Sequence, residues 1–501
     1  MGKFGLAKLG CIVLMFCGVA VIASPAQTLT TLYSFCSQPN CADGENPWAG
    51  LVQGINGNFY GTTLYGGANS NCGSSCGTVF VITPTGKLTT LYSFCSQPNC
   101  ADGAGPYNAG LIQATNGNFY GTTEGGGASG NGTVFIITPA GKLTTLYSFC
   151  SQPNCADGAV PEAGLVQATN GNFYGTTSAG GDGADCSPSS GCGTVFEITP
   201  AGKLTTLYSF CSQSNCVDGY SPSALLQATN GSFYGTAAHG GASGDGTVFE
   251  ITPGGKLTTL YSFCSQYGCT DGTEPVTGLV QATNGNFYGT TEEGGANFYG
   301  TVFEITPAGK LTTLYSFCSQ TNCTDGSWPV AGLIQATNGN FYGTTSAGGA
   351  NSTCYQGCGT LFEITPAGTL TTLYSFCSQP NCADGDSAFT GLVQSTNGEL
   401  YGTTEGGGGD SHGTVFSLGV GLGPFVETLP RAGKVGTKVI ILGNNLTGTT
   451  SVSFNGTGAT FTVVSNTEIT TSVPTGAITG RVEVTTPKKT LKSNVVFRVS
   501  Q

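Results

Sequence analysis

His239 and His412 are the only histidines of the chain, and each sits in a glycine-rich stretch that also carries acids. A histidine beside a carboxylate can move protons near neutral pH. Nothing orders such a pair here: the chain has no G-x-S-x-G, no H-E-x-x-H and no phosphate loop. A second set is an Asp-Gly that recurs at Asp43, Asp102, Asp157, Asp218, Asp271, Asp325 and Asp384. A ring of carboxylates could hold Ca2+, but no D-x-D-x-D spacing accompanies it. Asp before Gly is also the chemistry of a tight turn, and that reading is preferred. No cofactor is therefore expected. A third set is aromatic. Trp48, Tyr107, Tyr220, Trp328 and Phe389 follow those Asp-Gly pairs, and they include both tryptophans of the chain. Aromatic faces stack on the apolar faces of sugar rings. They also pack between repeated units, and the two readings stand side by side. The Phe-Tyr pairs, from Phe59 and Tyr60 to the variant Leu400 and Tyr401, recur in every copy and are assigned to the core.

These residues are carried by a repeat. The phrase LTTLYSFC starts at Leu29, Leu88, Leu143, Leu204, Leu257, Leu311 and Leu370. Seven copies of a unit this long predict a closed array of supersecondary units. In the copy from Leu257, strands are predicted over 257–263, 278–282, 287–291 and 301–306. An Asn-Gly turn joins the second to the third, and Pro307-Ala-Gly-Lys310 leads into the next copy. Four short antiparallel strands, seven times, predict a seven-bladed β-propeller of four-stranded blades. An open β-solenoid is the runner-up. The array starts with a lone LTTLYSF and ends, at 413–418, on the fourth strand type. If LTTLYSF is outermost, the first copy completes the last blade and removes two open edges. The TNGN and PAGK turns then share one face. The opposite face carries the cysteine loops and the variable glycine-rich loops, including inserts at 66–76, 180–192 and 348–358, and it is the expected functional face.

Cysteine usage points to an oxidising compartment. Fourteen cysteines form seven C-x4-C pairs: Cys36 with Cys41, Cys95 with Cys100, Cys150 with Cys155, Cys211 with Cys216, Cys264 with Cys269, Cys318 with Cys323, and Cys377 with Cys382. Six more pair as Cys72 with Cys76, Cys186 with Cys192, and Cys354 with Cys358. Zinc would want C-x2-C pairs in fours or joined by His, so local disulfides are expected. Residues 1–26 read as a signal peptide: Lys3 and Lys8, a short apolar run at 11–22, and a small-residue cleavage site at 23–26. That run is too short to span a membrane comfortably, and no span is expected in the mature chain. The protein is expected to be secreted or held at the cell surface.

The expected domains are the signal peptide (1–26), a propeller (27–421) and a small sandwich (422–501). The last segment has no Cys and reads as short strands separated by turns. It contains GNNL, VSFNG and VPTG, words that resemble the IPT/TIG immunoglobulin-like domain. That resemblance implies an accessory β-sandwich with no catalytic role of its own. The units AGLVQATNGNFYGTT and GTVFEITPAGKLTTLYSF resemble the GloVer tandem repeat of exported bacterial proteins, over about Leu29 to Gly419. It implies a propeller and assigns no activity to particular residues. Many members carry a C-terminal surface anchor. No apolar tail follows the sandwich here, and an anchor of that type is not expected.

Charge narrows the partners. The propeller has five Lys against 24 acids, whereas residues 424–501 carry eight bases and three acids. An acidic propeller argues against nucleic acid and anionic membranes. The expectation is a non-catalytic binding or cell-envelope module for an extracellular polysaccharide or a surface protein. The alternatives are a carbohydrate-active enzyme of the lyase type, using His239 or His412, and a passive surface scaffold.

Overall fold

The computed structural model describes residues 27–69, 76–108, 110–182 and 192–500. The signal-peptide reading, Cys72 and Cys186 lie outside them. Seven antiparallel sheets of the four-stranded pattern follow one another along the chain, and in blade 4 the segment Tyr220–Pro222 adds a fifth strand. The first blade runs Val52–Gln53, Phe59–Thr63, Thr78–Ile82 and Leu88–Ser93 from the channel outward. The innermost strand is only two residues long, shorter than the predicted five. The Phe59–Thr63 strand is buried on both faces, which is why its Phe-Tyr-Gly-Thr-Thr does not alternate with polar residues. The outer LTTLYS strand alternates toward solvent and is bulged against its neighbour.

Three sets of contacts close the ring. Leu29–Ser34 pairs antiparallel with Thr414–Leu418, so the first LTTLYS is the outer strand of the seventh blade. Each inner turn donates a backbone N–H to a glutamine of the next blade, from Ile55→Gln113 round to Thr396→Gln53, at 2.9–3.1 Å in all seven. The Tyr of one blade also stacks on the Phe of the next at 4.0–4.1 Å, and Phe59 on Tyr401 carries the stack across the seam. Blade 6 alone meets a leucine, because Leu400 replaces the Phe opposite Tyr342.

The C-terminal segment is a sandwich of two four-stranded sheets around Val439, Ile441, Val452, Phe454, Ile469 and Val484. It lies on the turn face of the propeller. Arg498 Nη1 donates to Thr229 O (2.6 Å) and Ala228 O (3.3 Å), Thr467 Oγ1 to Ile55 O (3.0 Å), and Asn444 Nδ2 to Thr396 Oγ1 (2.6 Å). Burial holds the Arg498 pKa below its ordinary value. Blades 1, 4 and 7 are thereby bridged across the channel. A cavity of about 1180 Å³ remains beneath, lined by Gln53, Gln113 and Gln167 from the bore and Arg431 from the sandwich. Among the described residues no helix is long and apolar enough to cross a membrane.

Candidate functional site at the loop-face channel mouth

The aspartates that recur seven times are loop locks. Each is fully buried. In blade 3, Asp157 accepts hydrogen bonds from Tyr147 Oη (2.7 Å), Ser151 N (2.9 Å), Ser151 Oγ (2.9 Å) and Gln152 N (3.1 Å). The tyrosine bond recurs at 2.7–2.8 Å in every blade. Burial alone raises the Asp157 pKa, but the bonds from Tyr147 and the two amides outweigh it and hold the carboxyl below its ordinary value. Both oxygens are committed to the C-x4-C loop that a disulfide also closes. These aspartates are therefore not arranged as a cation ring.

The cysteines are structural. Cys36 is bonded to Cys41, Cys95 to Cys100, Cys150 to Cys155, Cys211 to Cys216, Cys264 to Cys269, Cys318 to Cys323, and Cys377 to Cys382. Cys354 is bonded to Cys358, and Cys76 and Cys192 are disulfide-bonded as well. The second cysteine of each C-x4-C pair also ties its loop to the glycine-rich loop of the same blade. Cys100 O accepts from Gly127 N, Cys155 O from Gly181 N and Cys323 O from Gly349 N, each at 2.9 Å. Cys100, Cys155 and Cys323 hold left-handed φ of 52°, 53° and 52°, so they turn the chain as well as staple it. Sulfurs of two bridges approach one another at Cys354, Cys358, Cys377 and Cys382, but the thiolates that a metal needs are consumed in the bridges. That number of bridges suits an extracellular protein.

The five aromatics separate. Trp48, Tyr107 and Phe389 each stand five residues after their Asp, and that register brings them to the channel mouth. Trp48 lies 4.8 Å from Tyr107 and stacks on Phe389 at 5.5 Å, so three blades share one aromatic cluster. Tyr107 and Phe389 line a cavity of about 490 Å³. Trp328 stands earlier in its loop, at a left-handed φ of 54°, and packs across a blade junction on Tyr299 at 5.8 Å. Tyr220 packs on His239 at 5.1 Å within blade 4. Inter-blade packing thus describes Trp328, and Trp48, Tyr107 and Phe389 also touch across blade boundaries while lying together at the channel mouth.

A collar of small residues sets the width of the bore beneath this cluster. Gly50, Gly110, Gly164, Gly278, Gly332 and Gly391 stand two residues before the innermost strands, with Ala224 in blade 4. A Cβ on Gly164 would stand 2.9 Å from Gly110 O, and one on Gly50 would stand 3.1 Å from Gly391 O. Neighbouring backbones therefore approach closely at Gly164 and Gly50, whereas at Gly110, Gly332 and Gly391 the nearest carbonyl would stand 3.6–3.7 Å from an added Cβ.

Sequence reasoning missed the carboxylates at this mouth. Glu162 occupies the same fifth position after its Asp, and Glu124, Glu292 and Glu405 each follow the FYGTT-type strand. Burial raises the pKa of all four. Glu124 reaches about 7 through burial and then the charge of Glu162. Glu162 and Glu292 are also raised, mainly by burial. Glu405 is raised by burial and then by Asp386, against the pull of the Trp48 indole N–H, which is buried and makes no hydrogen bond of ordinary geometry. Tyr107 is pushed up to about 12 by burial, then by Glu162, Glu124, Glu292 and Glu405. The four acids thus converge electrostatically on one phenol. Among the described residues no ion pair involves any of them. The signal was legible: the same position holds Leu64, Ser178, Ala238 and Ser346 in the other blades, so a Glu there departs from the repeat.

The two histidines are not brought together. His239 ends the Phe233–His239 strand of blade 4. His412 Nδ1 lies 3.0 Å from Glu45 Oε2, a pair that spans the seam between blades 7 and 1. The mouth therefore offers aromatic faces and unpaired carboxylates. It suits a ligand with hydroxyls or an amine to donate, and it repels anions.

A family model described as the Gloeobacter/Verrucomicrobia repeat matches residues 17–187 and 185–416. The IPT/TIG domain matches residues 426–499. No curated protein matches the chain. Among solved structures, similarity is found to the extracellular domain of a hybrid two-component system from B. thetaiotaomicron, at 11% identity and a TM-score of 0.48, over 84% of this chain and 46% of that one. The chain thus spans about half the length of that protein. A gluconolactonase from Xanthomonas campestris matches at 12% identity and a TM-score of 0.37, over 79% of this chain and 90% of that one. A glucose-dehydrogenase-type oxidoreductase from Thermus thermophilus matches at 13% identity and a TM-score of 0.39, over 78% and 99%.

Proposed function

The chain belongs to the Gloeobacter/Verrucomicrobia repeat family, and from that premise we propose that it is an exported binding module whose loop-face channel mouth takes a neutral or amine-bearing polysaccharide. It works outside the cell, secreted or held at the surface. The observation that carries this reading is the Trp48–Tyr107–Phe389 cluster beside four raised, unpaired carboxylates. Aromatic faces take the apolar side of a sugar ring, and carboxylates accept its hydroxyl or ammonium hydrogens. No Lys or Arg occurs in the loops of this face, so an acidic polysaccharide would meet only like charge.

The test is calorimetric binding of the protein to neutral, aminated and acidic polysaccharides. Saturable binding to the first or second class supports the reading. Trp48→Ala should then weaken it about tenfold, or about 1.4 kcal/mol. Binding only to the acidic class, or none, removes it.

One observation favours an enzyme as the second reading. A carboxyl with a pKa of about 7, electrostatically coupled to a half-buried phenol, is matched to general acid–base work. Release of new reducing ends or unsaturated products, abolished by Glu124→Gln, would establish that reading in place of simple binding.

A further inference from the structure

We propose that the protein assembles head to tail, the loop face of one copy receiving the basic Ig-like domain of the next. Charge is segregated along the molecular axis. The propeller's lysines, Lys87, Lys142, Lys203, Lys256 and Lys310, all stand in turns on the face that the Ig-like domain covers. Every other base of the described chain belongs to that domain. The loop face, at the opposite end, carries carboxylates and no Lys or Arg. One end of the molecule is thus negative and the other positive.

The loop face also holds large apolar side chains in water. Tyr267, Phe298 and Tyr355 are 101%, 67% and 91% exposed. They form an arc over blades 5 and 6, outside the channel mouth: Gly295 N donates to Cys269 O, which ties the loop of Phe298 to that of Tyr267. All three depart from the repeat. Four blades hold Pro where Tyr267 stands. Phe298 adopts a left-handed φ of 69° at a position where blades 2 and 4 use Gly130 and Gly244. An aromatic residue kept in solvent, in a conformation that L residues avoid, calls for a partner.

A second copy supplies the complement. Lys488 and Lys489 are exposed on the hairpin between Val482–Thr485 and Thr490–Lys492. Neither takes part in an ion pair among the described residues. A neutral glycan would leave Glu293, exposed in the loop of Phe298 and without an ion pair among the described residues, unmatched, and an anionic polymer would be repelled. Each copy carries a net negative charge, but at about 0.1 M salt the screening length is about 10 Å, so local complementarity decides the contact. The two surfaces differ, so the contact is heterologous and leaves a free end on each copy.

Sedimentation velocity of the full chain tests this. Species larger than a dimer should grow with concentration at about 0.1 M salt and revert to monomer at about 1 M salt. Tyr267→Ser/Phe298→Ser and Lys488→Glu/Lys489→Glu should each weaken association at least tenfold. A mixture of the two variants should give dimers and nothing larger, because only one intact face remains on each. Monomer at every concentration, association that strengthens at high salt, or wild-type assembly that stops at a dimer overturns the proposal. So does a monomer whose Tyr267→Ser/Phe298→Ser variant loses glycan binding, which would assign the arc to a glycan. The channel-mouth residues are untouched in these variants, so the fate of the polysaccharide reading is separate.

Discussion

Asp157 shows how one side chain can hold a loop from both ends of the pH scale. Its pKa is held down, so its contribution is present above the unfolded value of about 3.9 and is lost as pH falls through the lower folded value. Its partner Tyr147 is pushed up to about 12, mainly by burial, so the tyrosine's contribution is full below about 10 and is lost as pH rises toward 12. Asp157→Ala should cost about 1–3 kcal/mol at neutral pH, because buried donors lose their acceptor. Chemical denaturation at pH 7 and pH 3 checks it, and the deficit should shrink at the lower pH. Glu124 behaves in the opposite way. Its raised pKa means that its contribution is full below about 4.3 and is lost as pH rises through about 7. Glu124→Gln should therefore stabilise the protein at pH 8 relative to pH 5, read as a rise in Tm. It should also remove any step near pH 7 in ligand affinity. An acid retained against stability is the expected mark of a functional site. The sequence displays Asp157 seven times and Glu124 as an exception. The repeated aspartates lock their loops, and the glutamates that depart from the repeat after FYGTT are the acids whose pKa burial raises.

At the scale of elements, the blade junction is the unit of stability. Six junctions stack Tyr on Phe, and the seventh sets Tyr342 against Leu400. Leu400→Phe should restore the missing stack and add about 0.5–1.5 kcal/mol, seen as a higher thermal midpoint. A lower midpoint would mean that the site has closed around leucine and is overpacked by the ring. Strand order and seam were legible because the array opens on a lone LTTLYSF and ends on the fourth strand type, a phase that ring closure explains. The register of the loops was not. Aromatics two, three and five residues after the Asp look alike as text, yet only those at the fifth position join the shared cluster. Tyr220 and Trp328 fell to packing for that reason.

At the scale of the whole molecule, the placement of the Ig-like domain was the least legible feature. Its own fold follows from GNNL and VSFNG. Its seat on the propeller includes five hydrogen bonds, four of them to backbone carbonyls, which leave no mark in composition. The seam has a mechanical consequence. Leu29 is paired with Leu418, so the strand that enters the ring and the strand that leaves it do so at the same end. A pull that separates the chain before Leu29 from the chain after Leu418 loads this ladder one rung at a time, like a zipper rather than a glued lap joint. Tension between those two segments would thus peel Leu29–Ser34 away at low force and open the ring there first, with the other six blades still folded.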